Sequence, residues 1–305
     1  PPSSPVVIDN RADQPTQEEL RLFYAATITP EMIREAAKDS DGAAGVSGVD
    51  GFAWRRMCTA HHGSDDLCGA LSACAVRIAS EEIDPATLEA FVANRLIPLN
   101  KNPGVRPIGI GELPRRIIGK AVARCQKTDI RRAAGGLQAC AGLPGGVEAS
   151  IHTVRETFES EECEASLLID ASNAFNRLNR LSARRNIGAR CPMLAQFLRN
   201  CYRAPIRLFV GGKEISSEEG TTQGDPLGTA MYAIALAPLI FALSGQEHPD
   251  LRGPQASYPE TGLRAPLLDP TIAVACKCPL PEGDDDMVDS CQAWFADDGS
   301  VTGKL

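Results

Sequence analysis

Two stretches of this chain deliver carboxylates at the ends of apolar runs. LLIDASNAFNRLNR (167–180) puts Asp170 at the tip of a predicted strand, and AWFADDGS (293–300) puts Asp297 and Asp298 together just before a turn. Between them, EEGTTQGDPLGTAMY (218–232) is a turn that enters a helix through Gln223 and Gly224. Carboxylates are hard oxygen donors. Nucleotidyl transfer by two Mg²⁺ ions about 3.5–4 Å apart needs such donors from different strands converging on one place. An Asp at one strand tip and an Asp-Asp pair at the hairpin of another meet that need if the strands are neighbours. Successive side chains of a strand point to opposite faces, so one Asp of the pair should ligate more directly than the other. Asp170 and Asp297 are expected to bind both metals, with Asp298 supporting.

Positioning these groups falls to a chain of mixed helices and strands. Residues 1–18 are a Pro-rich, polar lead-in. Residues 16–38 predict two short helices, the second opened by Thr29 with Pro30 in its first turn. Residues 42–51 are a Gly-rich turn segment, and 64–92 turn helical again, with Leu67, Leu71, Cys74 and Ala75 spaced for one buried face. Leu96–Leu99 and Arg106–Ile110 predict a hairpin about Asn102–Pro103–Gly104, followed by a basic helix from about Pro114. Glu164–Ile169 reads as a fully apolar strand ending in an acid, Ser182–Cys201 as a helix, and Ile206–Val210 with Lys213–Ile215 as a hairpin. Pro226–Ala242 is an apolar helix and Ala293–Ala296 a last strand. Residues 244–290 stand apart, with seven prolines, an EGDDD run and no periodicity, and are expected to be disordered.

At 305 residues, 43% hydrophobic and 23% charged, the chain can bury a full core and is neither collagen, coiled coil nor wholesale disorder. No run of about 18 apolar residues exists to span a membrane. The opening residues lack the basic start and apolar centre of a secretory signal, and with no starting Met the chain is expected to be a fragment. Its 11 scattered cysteines argue for reduced thiols inside a cell, with nucleus or cytoplasm left open. The net charge of −8 hides an asymmetry: residues 95–132 carry ten basic residues against Glu112 and Asp129, and residues 171–210 carry eight arginines and no acid. Each block is +8, so the remainder of the chain is −24. Such blocks suggest surfaces that meet phosphate, against the plainer alternative of a solvated helix face. Cys58, His61, His62 and Cys68 have tolerable zinc-ligand spacing but form a lone cluster in a helical region. His152 and His248 lack partners for a nucleophile dyad, and no phosphate-loop or dinucleotide fingerprint occurs.

The ordered set RPIGIGELPRRIIGK, IDASNAFNRLNR, EGTTQGDPLG and FADDGS resembles the reverse transcriptase domain of retroelements, most closely the type lacking long terminal repeats. The resemblance covers roughly residues 40–243 and 291–305. A lone Asp-Asp pair carries no weight; the order and spacing together do. The resemblance implies an α+β right-hand polymerase: helical fingers over about 41–160, an antiparallel palm sheet from 161–243 and 291–305, and no thumb. It implies attack by a primer 3′-hydroxyl on the α-phosphate of a dNTP, templated by RNA, with two Mg²⁺ ions or Mn²⁺ in their place.

Carried over onto matching positions, Asp170, Asp297 and Asp298 would be the metal-binding catalytic aspartates and the Ala171 carbonyl a further ligand. Phe175 would crowd the sugar 2′ position, Gln223 and Gly224 would lie beside nucleotide and template, and Arg106 and Lys101 would hold the triphosphate. The partners implied are an RNA template with DNA primer, and dNTPs, with no membrane; oligomeric state is left open. Three departures stand out: FADD replaces the more usual Tyr-Ala-Asp-Asp or its hydrophobic equivalent, residues 244–290 intervene before it, and only seven residues follow Asp298. The alternatives are therefore an inactive, truncated retroelement relic and a non-enzymatic nucleic-acid-binding module.

Overall fold

The computed structural model describes residues 14–161, 163–243, 256–257, 264–265 and 290–303. It is a mixed α and β chain whose sheets are mostly antiparallel. Five helices open it: α1 (Gln17–Thr27), α2 (Pro30–Lys38), α3 (Gly51–Thr59), α4 (Ser64–Ser80) and α5 (Pro85–Val92). Thr16 and Glu19 close a capping box on α1, so the lead-in ends sooner than expected, and Thr29 caps α2 with Pro30 as its first residue. The helical stretch expected over 64–92 is two helices, because Pro85 starts a new one with Asp84 as its cap. Cys74 faces solvent instead of the core. Cys68, Leu71, Ala75, Ile78 and Ala79 form the buried stripe of α4. Cys74 stands about 100° round the helix from the middle of it.

The strands β1 (Asn94–Asn100) and β2 (Val105–Gly111) form the expected hairpin and lead into α6 (Leu113–Cys125), α7 (Lys127–Ala134) and α8 (Gly146–Phe158). Then come β3 (Ala165–Asp170), the one-turn helix α9 (Ala174–Arg177), α10 (Arg180–Arg190), α11 (Pro192–Tyr202) and the hairpin β4 (Ile206–Val210) and β5 (Lys213–Ser217). The helix expected over 182–201 breaks at Cys191 because Pro192 opens a second one. The last described elements are α12 (Gly228–Leu243), the short pair β6 (Ala256–Ser257) and β7 (Arg264–Ala265), β8 (Ser290–Phe295) and β9 (Asp298–Gly303). Apart from that pair and Ser290, the expected disordered insert lies outside the described residues.

Two sheets matter. One has the order β2-β1-β4-β5 and joins its two hairpins through a short parallel pairing of Asn94 with Leu208 and Arg95 with Phe209. The other is antiparallel, β3-β9-β8, with β9 at its centre. The apolar strand β3 is an edge strand: Leu167 is 60% exposed and Leu168 77%. Its composition reads as buried, yet only β9 flanks it among the described residues. The main core gathers Tyr24, Ile33, Ile117, Leu194, Phe197 and Tyr202 from four helices and Ile28 from the turn between α1 and α2. Each such side chain contributes about 1.5–3 kcal/mol on burial. A smaller cluster of Leu137, Ile240 and Trp294, with Ile169 and Leu236 against it, ties the second sheet to α12. Among the described residues no helix is long and apolar enough to cross a membrane.

Candidate active site

The three aspartates gather at one end of the second sheet. Asp170 ends β3 and is the direct partner of Asp298, which begins β9. The strand β8 runs to Phe295, which pairs with Asp298, leaving Ala296 and Asp297 as a two-residue hairpin loop. Asp297 and Asp298 are therefore not neighbours along one strand, as the sequence suggested; one lies in the turn and the other in the returning strand. Asp297 is half-buried while Asp170 and Asp298 are exposed. Burial holds the Asp297 carboxyl above its usual range, with the Asp298 and Asp170 charges adding to the effect. Its own backbone N–H and the Arg106 guanidinium act the other way. Three hard carboxylates near one cation match what Mg²⁺ takes as ligands. Among the described residues, however, no three His, Cys, Asp or Glu side chains lie close enough to hold an ion as they stand.

Beyond Asp170 the chain passes through half-buried Ala171 and a left-handed Asn173 into α9. There the Phe175 ring stacks on that of Tyr232 of α12, with centroids 4.7 Å apart. Tyr232 is buried, which pushes its hydroxyl up to about 12, and the Asp297 charge adds to this. The Gln-Gly segment joins this loop to the β1–β2 hairpin by backbone hydrogen bonds. Gly220 N–H donates to the Leu178 carbonyl at 2.8 Å, Thr221 N–H to that of Phe175 at 2.7 Å, and Gly109 N–H to that of Gln223 at 3.1 Å. Glycine is required at both crossings. A Cβ on Gly220 (φ +74°) would fall 2.5 Å from the Asn176 backbone, and one on Gly224 (φ +105°) 2.8 Å from the Gly109 carbonyl oxygen. Gln223 is half-buried and Gly224 exposed.

A buried polar cluster that sequence reasoning missed holds this segment. Asp225 and Arg115 form an ion pair with each side chain only 4% exposed. Tyr202 Oη donates to Asp225 Oδ2 at 2.6 Å, and Leu227 N–H to Oδ1 at 2.9 Å, capping the entry to α12. Burial opposes the Arg115 charge, but Asp225 outweighs it and holds the guanidinium well above its usual range. Arg115 and Arg180 both lie 5.3 Å from the centroid of the Tyr202 ring. A single Asp between Gly and Pro carries no sequence sign that its partner lies 110 residues away.

The exposed cations divide in two. Arg106 and Lys101 are exposed on the β1–β2 hairpin, and Arg106 is the one whose charge reaches Asp297. Many of the other cations of the two basic blocks have partners within the protein. Arg116 and Lys120 donate to backbone carbonyls of residues 39–43, and Arg124 pairs with Asp39. In the second block Arg180 donates to the carbonyls of Gly220 and Ser217, each at 2.9 Å, and Arg190 to that of Ala133 at 2.6 Å. Arg199 and Arg203 pair with Glu82, and Arg207 with Glu89 and Glu214. Arg177 and Arg185 are left exposed. The acids that neutralise the second block lie outside it in sequence, which is why the block read as a phosphate surface.

Cys58 and Cys68 are core residues; burial pushes the Cys58 thiol up to about 12, with Cys68 beside it. His61 and His62 are exposed, with ring centroids 4.0 Å apart. No protein-family model matches this chain, and no curated protein matches it.

Proposed function

We propose that this chain performs RNA-templated DNA synthesis as a right-hand polymerase, with the β3-β9-β8 sheet as its palm and the β1–β2 hairpin in its fingers. The observation that carries this reading is the pairing of Asp170 with Asp298 beside Asp297, under the charge of Arg106. Asp170 and Asp297, supported by Asp298 and the Ala171 carbonyl, would hold two Mg²⁺ ions. The chemistry bound Mg²⁺ supplies at such a site is activation of the primer 3′-hydroxyl and stabilisation of the leaving pyrophosphate. Arg106 approaches from the opposite sheet and neutralises triphosphate charge. Phe175, braced by Tyr232, crowds the sugar 2′ position and favours dNTPs. The backbone of residues 220–223 bridges the loop that follows Asp170 and the β1–β2 hairpin.

The test is Mg²⁺-dependent dTTP incorporation on poly(rA)/oligo(dT), with the Asp297→Ala variant beside the unsubstituted chain. Incorporation that vanishes in the variant supports the reading. Absence of incorporation with salt-dependent retention of the template-primer supports a binding remnant instead, a reading favoured by the aspartates' not converging as they stand.

A further inference from the structure

The turn that carries Asp297 has an unexpected residue for its backbone. Ala296 is the first residue of the two-residue loop between β8 and β9 and sits at φ +57°. Hairpin loops of this size ordinarily give that conformation to Gly, Asn or Asp. What holds Ala296 there comes from outside the hairpin. Gln138, 3% exposed, donates from Nε2 to the Ala296 carbonyl at 3.1 Å. Its Oε1 accepts from the Ala296 N–H at 2.8 Å, so one side-chain amide satisfies both polar groups of the left-handed residue. The backbone around Gln138 is itself anchored. Trp294 N–H donates to the Leu137 carbonyl at 2.9 Å and Ala139 N–H to the Trp294 carbonyl at 2.8 Å, so residues 137–139 run parallel to β8.

The Ala296 carbonyl belongs to the central peptide of the turn, the unit joining Ala296 to Asp297. Rotation of that peptide converts one two-residue turn into another, and it redirects the side chain that follows. A buried amide gripping the carbonyl blocks the rotation. Gly299, paired opposite Trp294, has no room for a Cβ, which would fall 2.6 Å from the Trp294 ring. Hairpin and bracket thus share Trp294.

We propose that Gln138 is a positioning residue that fixes Asp297 toward Asp170 and Asp298 by clamping the Ala296 peptide. The proposal rests on the polymerase reading for its effect on turnover, but the clamp can be tested without it. The unsubstituted chain, Gln138→Met and Gln138→Asn are compared in steady-state dTTP incorporation, template-primer affinity, and NMR of the Ala296 amide exchange rate and the Asp297 carboxyl shift. Met keeps the volume without the amide, and Asn keeps the amide one carbon short of its reach. The expected result is a kcat lower by about 10- to 100-fold with template-primer Kd unchanged, faster Ala296 exchange and a moved Asp297 carboxyl resonance. A folded variant with unchanged kcat overturns the proposal and leaves the polymerase reading standing. If the unsubstituted chain incorporates nothing, the polymerase reading fails by itself and the two NMR readouts decide: both unchanged overturns the clamp. Should Gln138→Met not melt cooperatively, Gln138→Asn carries the same comparison.

Discussion

Asp170 and Asp298 face each other as direct partners across the β3–β9 ladder, two carboxylates at the same end of one sheet. Like charges placed opposite in a ladder are destabilising. With Asp297 in the adjoining turn, the sheet ends in three acids whose mutual repulsion a cation bound there would relieve. That relationship underlies the first of four predictions.

Burial and the flanking carboxylates keep Asp297 protonated to a higher pH in the folded chain than in the unfolded one. Between the ordinary Asp value of about 3.9 and the raised one, the folded state binds more protons, so this group's contribution to stability falls as pH rises. Asp297→Asn removes the effect. Urea unfolding at successive pH values should show the variant gaining on the unsubstituted chain across that acid window, then holding a constant margin above it. A margin independent of pH would mean that Asp297 titrates alike in both states.

The Arg115–Asp225 pair is buried, and removing one partner leaves the other charged and unsolvated. Asp225→Ala should cost about 3–5 kcal/mol, and the double change Arg115→Met with Asp225→Leu markedly less. Equilibrium urea melts of both variants measure this. Equal losses in the two would show that the pair acts through packing alone.

Gly220 and Gly212 have nearly the same positive φ, +74° and +76°, but only Gly220 lies against another backbone. Gly212→Ala should cost about 1 kcal/mol from conformation alone. Gly220→Ala must also push the Asn176 segment away and should cost at least about twice as much. It should also lower dTTP incorporation, because Asn176 follows the stacked Phe175. Equal melting losses would place Gly220 in a looser contact than the structure shows.

If template-primer binds, its salt dependence separates exposed from internal arginines. Arg177→Ala and Arg185→Ala should each lower the slope of log K against log salt by about 1 with little change in Tm. Arg203→Ala, which breaks contacts with Glu82 and the Ile83 carbonyl, should lower Tm and leave the slope unchanged. Filter binding across a salt series, with melts of the same samples, tells them apart. A slope change in Arg203→Ala alone would reverse the assignment.

Much of the local structure was legible in the residues. Thr29 followed by Pro30 marks a helix start because side chain and ring act on the next turn, and Asn102–Pro103–Gly104 marks its hairpin for the same local reason. Asp170 at the end of an apolar strand was likewise readable. Gln138 was not: nothing around it in sequence hints at Ala296, 158 residues on.

Sequence alone determined which side chains can do chemistry here and which segments turn helix or strand, since propensity, capping and alternation act over a few residues. Tertiary structure decided everything that depends on a distant partner. It set Asp170 opposite Asp298, put Asp297 into a turn gripped by Gln138, and spent most of the second arginine block on acids and carbonyls elsewhere in the chain. It also left Leu167 and Leu168 on an open edge despite their apolar character. The physical reason is that charge and apolarity are properties of a residue, while pairing and burial belong to two surfaces that only the folded chain brings together.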